Sequence, residues 1–235
     1  MAVNTVIVTA DKVKRRKVIM KKVKIALLIL ILILLFIFIV LGIIYNGGKF
    51  TITLDPNFSL KSGIVMYDNS LDKVSKGKLY ASELDFLDNI SGEWIPKDID
   101  KGKEGSHNGK NYIAYTFFIE NQGEETIDYW YHVEIDDVIK GVDDAIRISI
   151  YRNGEKTTYA KLNADTKKEE KDTKAFYSSK YPVLEERKDF KPNDIDRFTI
   201  VIYLEGDDPD CIDSIIGGEI KMHMEITEEH IDNKE

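Results

Sequence analysis

One cysteine, five prolines and four histidines in 235 residues leave little material for several kinds of chemistry. A single thiol, Cys211, cannot close an internal disulfide, which excludes a disulfide-stapled scaffold. Asp208, Asp210 and Asp213 surround it with negative charge and disfavour the thiolate that a nucleophile needs. Cys211 therefore reads as a small residue packed at a turn. The histidines His107, His132, His223 and His230 contain no H-E-x-x-H pair, so a zinc protease is not indicated. His132 and His223 each alternate with apolar neighbours and are expected to face solvent or an adjacent strand. Neither a G-x-S-x-G elbow nor a G-x-x-x-x-G-K-[ST] phosphate loop occurs.

Charge is absent from one long stretch. Every residue from Ile25 to Tyr45 is uncharged, and all but Gly42 are apolar or aromatic. Twenty-one residues at about 1.5 Å each span roughly 30 Å as a helix, the thickness of a bilayer hydrocarbon core. The run is apolar on all sides, so water offers such a helix nothing. A cleaved signal would have a shorter apolar region and small residues after it. Asn46-Gly47-Gly48-Lys49 follows instead, so the segment reads as an uncleaved signal anchor. Met20-Lys-Lys-Val-Lys also has the character of a translation start, an alternative to Met1.

The net charge of −8 divides unevenly about this segment. Residues 1–45 hold eight Lys/Arg and one Asp, whereas residues 46–235 hold 25 Lys/Arg against 40 Asp/Glu. The basic cluster from Lys12 to Lys24 is expected to stay cytoplasmic and to place the acidic remainder outside the plasma membrane. An acidic main domain excludes a nucleic-acid binder. The expected organisation is a basic cytoplasmic tail (1–24), a transmembrane helix (25–45), a linker (46–49), an extracellular domain (50–226) and a polar tail (227–235).

Alternation with period two dominates the extracellular part. Phe50, Ile52 and Leu54 share a face, as do Ile113, Tyr115, Phe117 and Ile119. Tyr129, Tyr131, Val133 and Ile135 oppose Asp128, Trp130, His132 and Glu134. Ile146, Ile148 and Ile150 form another set, and Ile220, Met222, Met224 and Ile226 the last. Phe198–Leu204 is apolar on both faces apart from Thr199, which predicts a central strand. Asn153-Gly154 predicts a two-residue hairpin turn, and Asn121-Gln-Gly-Glu a turn between two strands. Short helical turns are expected at Ser82–Leu87, Asp137–Val142 and Pro209–Ile216. The stretches Asp98–Lys110 and Ala164–Lys174 read as exposed loops. Together these features predict a mainly β fold, an antiparallel β-sandwich of immunoglobulin-like or jelly-roll type behind one transmembrane helix.

The acidic segment Glu205–Asp213 is the candidate metal site. Calcium takes six to eight oxygen ligands, and Asp207, Asp208, Asp210 and Asp213 offer carboxylates without the spacing of an EF-hand. The competing reading is that these groups cap backbone N–H groups before a short helical turn. Asp136-Asp137 and Asp143-Asp144 carry the same ambiguity. The aromatic residues Tyr129-Trp130-Tyr131 and Phe117-Phe118 read as packing, with Trp130 or Tyr151 available for a contact surface.

Two segments carry a family resemblance. Tyr115–Gly123 (YTFFIENQG), preceded by Trp94-Ile-Pro96, resembles surface β-sandwiches of low-GC Gram-positive bacteria, including the camelysin/TasA-like biofilm-fibre proteins. Phe198–Lys221 (FTIVIYLEGDDPDCIDSIIGGEIK) is similar to the closing strands of membrane-anchored relatives of that group. The resemblance implies a cell-surface location, and by family analogy alone a fibre-forming or metallopeptidase role. The fibre proteins look secreted, whereas the apolar segment here looks retained. The expected function is a non-enzymatic surface protein for binding or adhesion, with a protein or matrix partner. The alternatives are a structural subunit that self-associates by adding the strand Phe50–Leu54 to a neighbour's sheet, and a metallopeptidase.

Overall fold

The computed structural model describes residues 10–45, 49–82, 84 and 86–228. The expected polar tail from residue 229, His230, most of the linker and the first nine residues lie outside the described residues. The chain divides after residue 48 into two compact units.

The first unit contains helix α1, Ala10–Tyr45. It is longer than the apolar run because the basic residues before it, Lys and Arg with good helix propensity, continue the same helix. Its 36 residues correspond to about 54 Å. Within it, Arg15–Val40 is long and apolar enough to cross a membrane, and none of it is buried by protein.

The second unit is a two-sheet β-domain. Its elements are β1 (Thr51–Leu54), α2 (Pro56–Ser62), β2 (Ile64–Tyr67), β3 (Lys78–Tyr80), β4 (Gly105–Ser106), β5 (Ile113–Asn121) and β6 (Ile127–Ile139). They are followed by β7 (Ile146–Arg152), β8 (Glu155–Ala160), β9 (Lys174–Ala175), β10 (Val183–Phe190), β11 (Ile195–Leu204) and β12 (Glu219–Thr227). One sheet has the order β10-β6-β12-β1-β3 and the other β2-β5-β11-β7-β8-β9, with β4 also on β5. Neighbours are antiparallel except β1 with β12 and β8 with β9. The first strand of the domain thus pairs with its last.

Each alternating set points inward as expected. Ile52, Tyr129, Val133, Met224, Phe117, Ile148 and Ile200 meet in one core between the sheets. Phe117 stacks on Phe198 with centroids 5.2 Å apart, and Tyr131 meets Phe198 edge-on. β11 lies between β5 and β7, the central position its unbroken apolar character requires. Asn153 and Gly154, with φ of 54° and 89°, make the tight turn joining β7 to β8.

Several expectations are corrected. The Asn121–Glu124 turn does not close a hairpin, because β5 and β6 belong to different sheets. It crosses from one to the other beside α2, a helix that sequence pattern does not reveal. Asp55 starts α2 by accepting from Phe58 N at 2.7 Å, and Gly63 ends it with φ of 70°. The helical turns are 3-10 turns at Gly92–Trp94, Val142–Asp144 and Asp213–Ile215, while residues 137–139 continue β6 and the described residues of 82–87 are not helical. The stretch Asp98–Lys110 is not wholly exposed. Ile99 and Asp100 are buried, and Ile90, Ile95 and Ile99 pack with Tyr151, Val201 and Tyr203 as a second small core on the outer face of the larger sheet. Phe50–Leu54, proposed as a donor strand, is paired along both edges within its own chain, to β12 and to β3.

Candidate functional site

The outer face of the larger sheet carries a cleft of about 920 Å³. Its floor follows from alternation. Ile146, Ile148 and Ile150 of β7 enter the core, so Arg147, Ser149 and Tyr151 face outward, joined by Thr158 of β8 and Tyr203 of β11. Ser149 and Thr158 share a 2.9 Å hydroxyl contact, so neighbouring strands are tied on this face as well as through the ladder.

Three loops make the walls. The first contains the turn at Gly92–Trp94. Glu205 receives the Gly92 N–H at 3.1 Å, and a Cβ at Gly92 would lie 2.6 Å from the Tyr203 hydroxyl oxygen. Only glycine lets the turn sit this close. Ile95 anchors the other side of the turn in the second core, and Trp94 between them is left 74 % exposed. The second wall is the loop after β8, ending near Glu170–Thr173. The third is Glu205–Asp208, directly after β11.

At the base lies a buried ion pair. Arg147 Nη2 donates to Asp208 Oδ2 at 2.5 Å, with the two side chains 4 % and 1 % exposed. Asp208 Oδ1 accepts from Asp210 N at 2.8 Å, an Asx turn. Such a pair stabilises little in net terms, but removal of one partner strands a charge. Charges of both signs line the rim: Lys97, Lys156 and Lys171 against Glu93, Asp172 and Asp207.

The four acidic residues singled out from sequence part company here. Asp208 and Asp210 remain together, and Glu170 joins them from a loop some forty residues earlier, their oxygens all within 4.8 Å of one another. Asp207 lines the cleft, donating its backbone N–H to Glu205. Asp213 opens the following 3-10 turn, whose leading residue Ile212 is not a side-chain cap. The expected capping of the helical turn is not found, since Asp208 accepts from Asp210 N and Asp210 accepts from Ala164 N at 2.7 Å, both outside the 3-10 turn. Glu170 was invisible to sequence reasoning because it sits in a lysine- and glutamate-rich loop where nothing marks one carboxylate from another. Its Oε1 is fully buried and without a hydrogen-bond partner among the described residues.

Other candidates are settled by burial. Tyr151 is 9 % exposed and belongs to the second core, with burial pushing its hydroxyl pKa up. Burial pushes Tyr203 up to about 12. Trp130 is half-buried on the opposite sheet. Cys211 is partly buried, in contact with Asn89 Nδ2 at 3.5 Å. Asp143 and Asp144 do not form a cation site with one another, being joined to Lys161 at 2.7 and 2.6 Å.

No protein-family model matches the sequence, and no curated protein matches it. Among solved structures, a β-glucosidase from Kluyveromyces marxianus in complex with glucose aligns with a TM-score of 0.27 and 14 % identity, over 73 % of this chain and 17 % of that one. The selenomethionine-labelled form of that β-glucosidase gives 0.24 and 14 %, over 72 % and 16 %. The chain thus spans about a sixth of those proteins, and likeness at this level carries neither fold nor activity.

Proposed function

We propose that this protein is a membrane-anchored surface protein whose β-domain is a non-enzymatic binding module, with its ligand site in the cleft walled by the turn that carries Trp94. The membrane part of the reading rests on α1 and on charge. Lys12 to Lys24 precede the apolar run, and basic flanks stay on the cytoplasmic side, which puts the acidic β-domain outside the plasma membrane. The observation that carries the binding part is Trp94, a large aromatic side chain held out to solvent by a turn clamped on both sides. Exposed tryptophans beside a recess are frequent anchors of recognition. The mixed charges on the rim suit a polar partner such as a surface protein or matrix polymer.

Two experiments test this reading. A cysteine introduced at exposed Lys101 in a Cys211→Ser background should react with a membrane-impermeant maleimide on intact cells; reaction only after lysis would refute the topology. In a Trp130→Phe variant, Trp94 fluorescence should respond to soluble fragments of cell-wall or matrix polymer. Trp94→Ala and Lys156→Glu with Lys171→Glu should weaken retention of the full-length protein on that matrix. Variants that bind as well as the wild type remove the cleft from consideration.

A second reading concerns calcium. Asp208 of the cluster is paired with Arg147, and the buried Glu170 Oε1, without a hydrogen-bond partner among the described residues, favours a cation there, with Glu170, Asp208 and Asp210 as ligands. Calcium at 100 times its Kd should raise stability by about 2.7 kcal/mol. Thermal melting in which Glu170→Gln shows the same increment, or the wild type none, rejects it.

A further inference from the structure

The outer face of the five-stranded sheet brings together four side chains that are far apart in sequence. His132-Val-Glu134 on β6 and His223-Met-Glu225 on β12 are the same pattern, His-x-Glu, twice. Antiparallel register sets them against each other, with Glu225 opposite His132 and His223 opposite Glu134. All four point away from the core, since Val133 and Met224 between them are fully buried. Cross-strand neighbours on one face are close enough to act together.

The ring nitrogens converge on carboxylates. His132 Nε2 is 3.6 Å from Glu225 Oε2, and His223 Nε2 is 4.0 Å from Glu225 Oε1 and 4.0 Å from Glu134 Oε2. None of these is a hydrogen bond. Ligand atoms on a tetrahedral zinc ion, at about 2.0–2.1 Å from it, stand about 3.3 Å apart, so His132 and His223, which approach different oxygens of Glu225, would draw together to share one ion.

The second ring nitrogen of His223 is already committed. Its Nδ1 lies 2.9 Å from Asp136 Oδ2, and because an ionised carboxylate only accepts, Nδ1 is the donor of that bond and Nε2 is the nitrogen that faces Glu134 and Glu225. Asp136 is the extra residue of a β-bulge, since Ile135 pairs with Met222 and Asp137 with Lys221. A carboxylate behind a histidine is the usual outer partner of a metal-bound imidazole. His132 is 2 % exposed, its Nδ1 unpartnered among the described residues, its ring edge-on to Tyr181. The charged groups around the face are Glu134, Asp136, Asp137 and Glu225, with Lys180 on Glu134 at 2.9 Å and Lys221 alongside.

We infer that this face binds a divalent transition-metal ion of the zinc class through His132, His223 and Glu225, with Asp136 orienting His223. Imidazole with carboxylate is the donor set such ions prefer over calcium. Glu134 becomes a fourth ligand if it leaves Lys180; otherwise water fills that position. The ion would clip β6 to β12 across their side chains. This site is on the opposite sheet from the cleft and stands or falls independently of it.

The test uses tag-free, full-length protein in detergent, stripped with chelator and titrated with zinc, with cobalt(II) as the spectroscopic probe. The wild type should take up one ion per chain and give the visible bands of low-symmetry cobalt. His223→Gln and Glu225→Gln, both at partly exposed positions, should each lower affinity about 100-fold or more, and Asp136→Asn about 10–100-fold. Their melting with chelator present should match the wild type, which separates lost binding from lost folding. Unaltered affinity in His223→Gln and Glu225→Gln overturns the site, as does absence of zinc uptake by the wild type. Loss confined to Glu170→Gln would assign the ion to the cleft and overturn it equally.

Discussion

Asp196 shows how much one side chain can hold. It is 1 % exposed and belongs to β11, yet it accepts from Tyr129 Oη at 2.6 Å on the opposite sheet, from Asn153 Nδ2 at 2.7 Å in the β7–β8 turn, and from Arg187 Nε at 3.1 Å on β10. Asp196→Ala leaves the buried Tyr129 hydroxyl without its acceptor and removes one of the partners of Arg187, which keeps Asp194 and the Lys188 carbonyl, and urea unfolding should show a loss of about 1–3 kcal/mol. A loss under 1 kcal/mol would show that the network is replaced by water. Two other carboxylates set the response to acid. Burial pulls Asp68 upward, but hydrogen bonds from Lys76 and Tyr115 outweigh it and leave its pKa below the ordinary value. Glu120 is likewise lowered by Lys73 and Tyr67 against the effect of burial. In the folded protein both bind protons less readily than in the unfolded chain. Their contribution is complete above the ordinary carboxylate range near pH 4 and declines as pH falls through it toward their folded values. Asp68→Asn should flatten the acid limb of the melting curve; an unchanged slope would contradict this assignment.

At the scale of elements, hydrophobic pattern identified β1, β5, β6, β7, β11 and β12, because one buried face is all that alternation requires, whereas the other strands, among them β2, β3 and β10, were not read from it. Sheet membership was not legible, since a turn of four residues serves equally to close a hairpin or to cross between layers. The crossing after β5 is decided by backbone proximity. A Cβ at Gly123 would stand 2.1 Å from the Ser62 carbonyl oxygen, so only glycine permits that approach. Gly123→Ala should cost about 1–3 kcal/mol by overpacking, read from denaturant midpoints, and wild-type stability would show that α2 can shift. The cleft was half legible. Asp207, Asp208 and Asp210 stand out as a run, whereas Glu170 and Arg147 reach the same place only through tertiary structure. The histidines were read singly for the same reason, as pairing them requires the register of β6 on β12. Edge strands bear on the self-association alternative. β10 is an open edge, but Glu185, Glu186, Arg187, Lys188 and Asp189 fill it, and its pairing is irregular between Arg187 and Phe190. Charge and irregularity of this kind discourage strand addition.

For the whole molecule, charge and order of elements matter more than any contact. Residues 46–235 carry an excess of fifteen negative charges, and like charge of this size opposes association at low salt. Sedimentation of the full chain in detergent should therefore show one species at 50 mM salt, with any self-association appearing only as salt screens the repulsion. Assembly at low salt that weakens on adding salt would favour the structural-subunit alternative instead.

The pairing of β1 with β12 has a mechanical consequence. The chain enters β1 at one end of that parallel pair and leaves β12 at the other, so tension between the two ends of the domain runs along the strands. Every hydrogen bond between them is then loaded together in shear, rather than opened one after another as in unzipping. Single-molecule stretching from the two termini should meet a higher force than stretching between residues 153 and 235, and equal forces would contradict this. A domain of this topology is strongest along the line that joins its two ends.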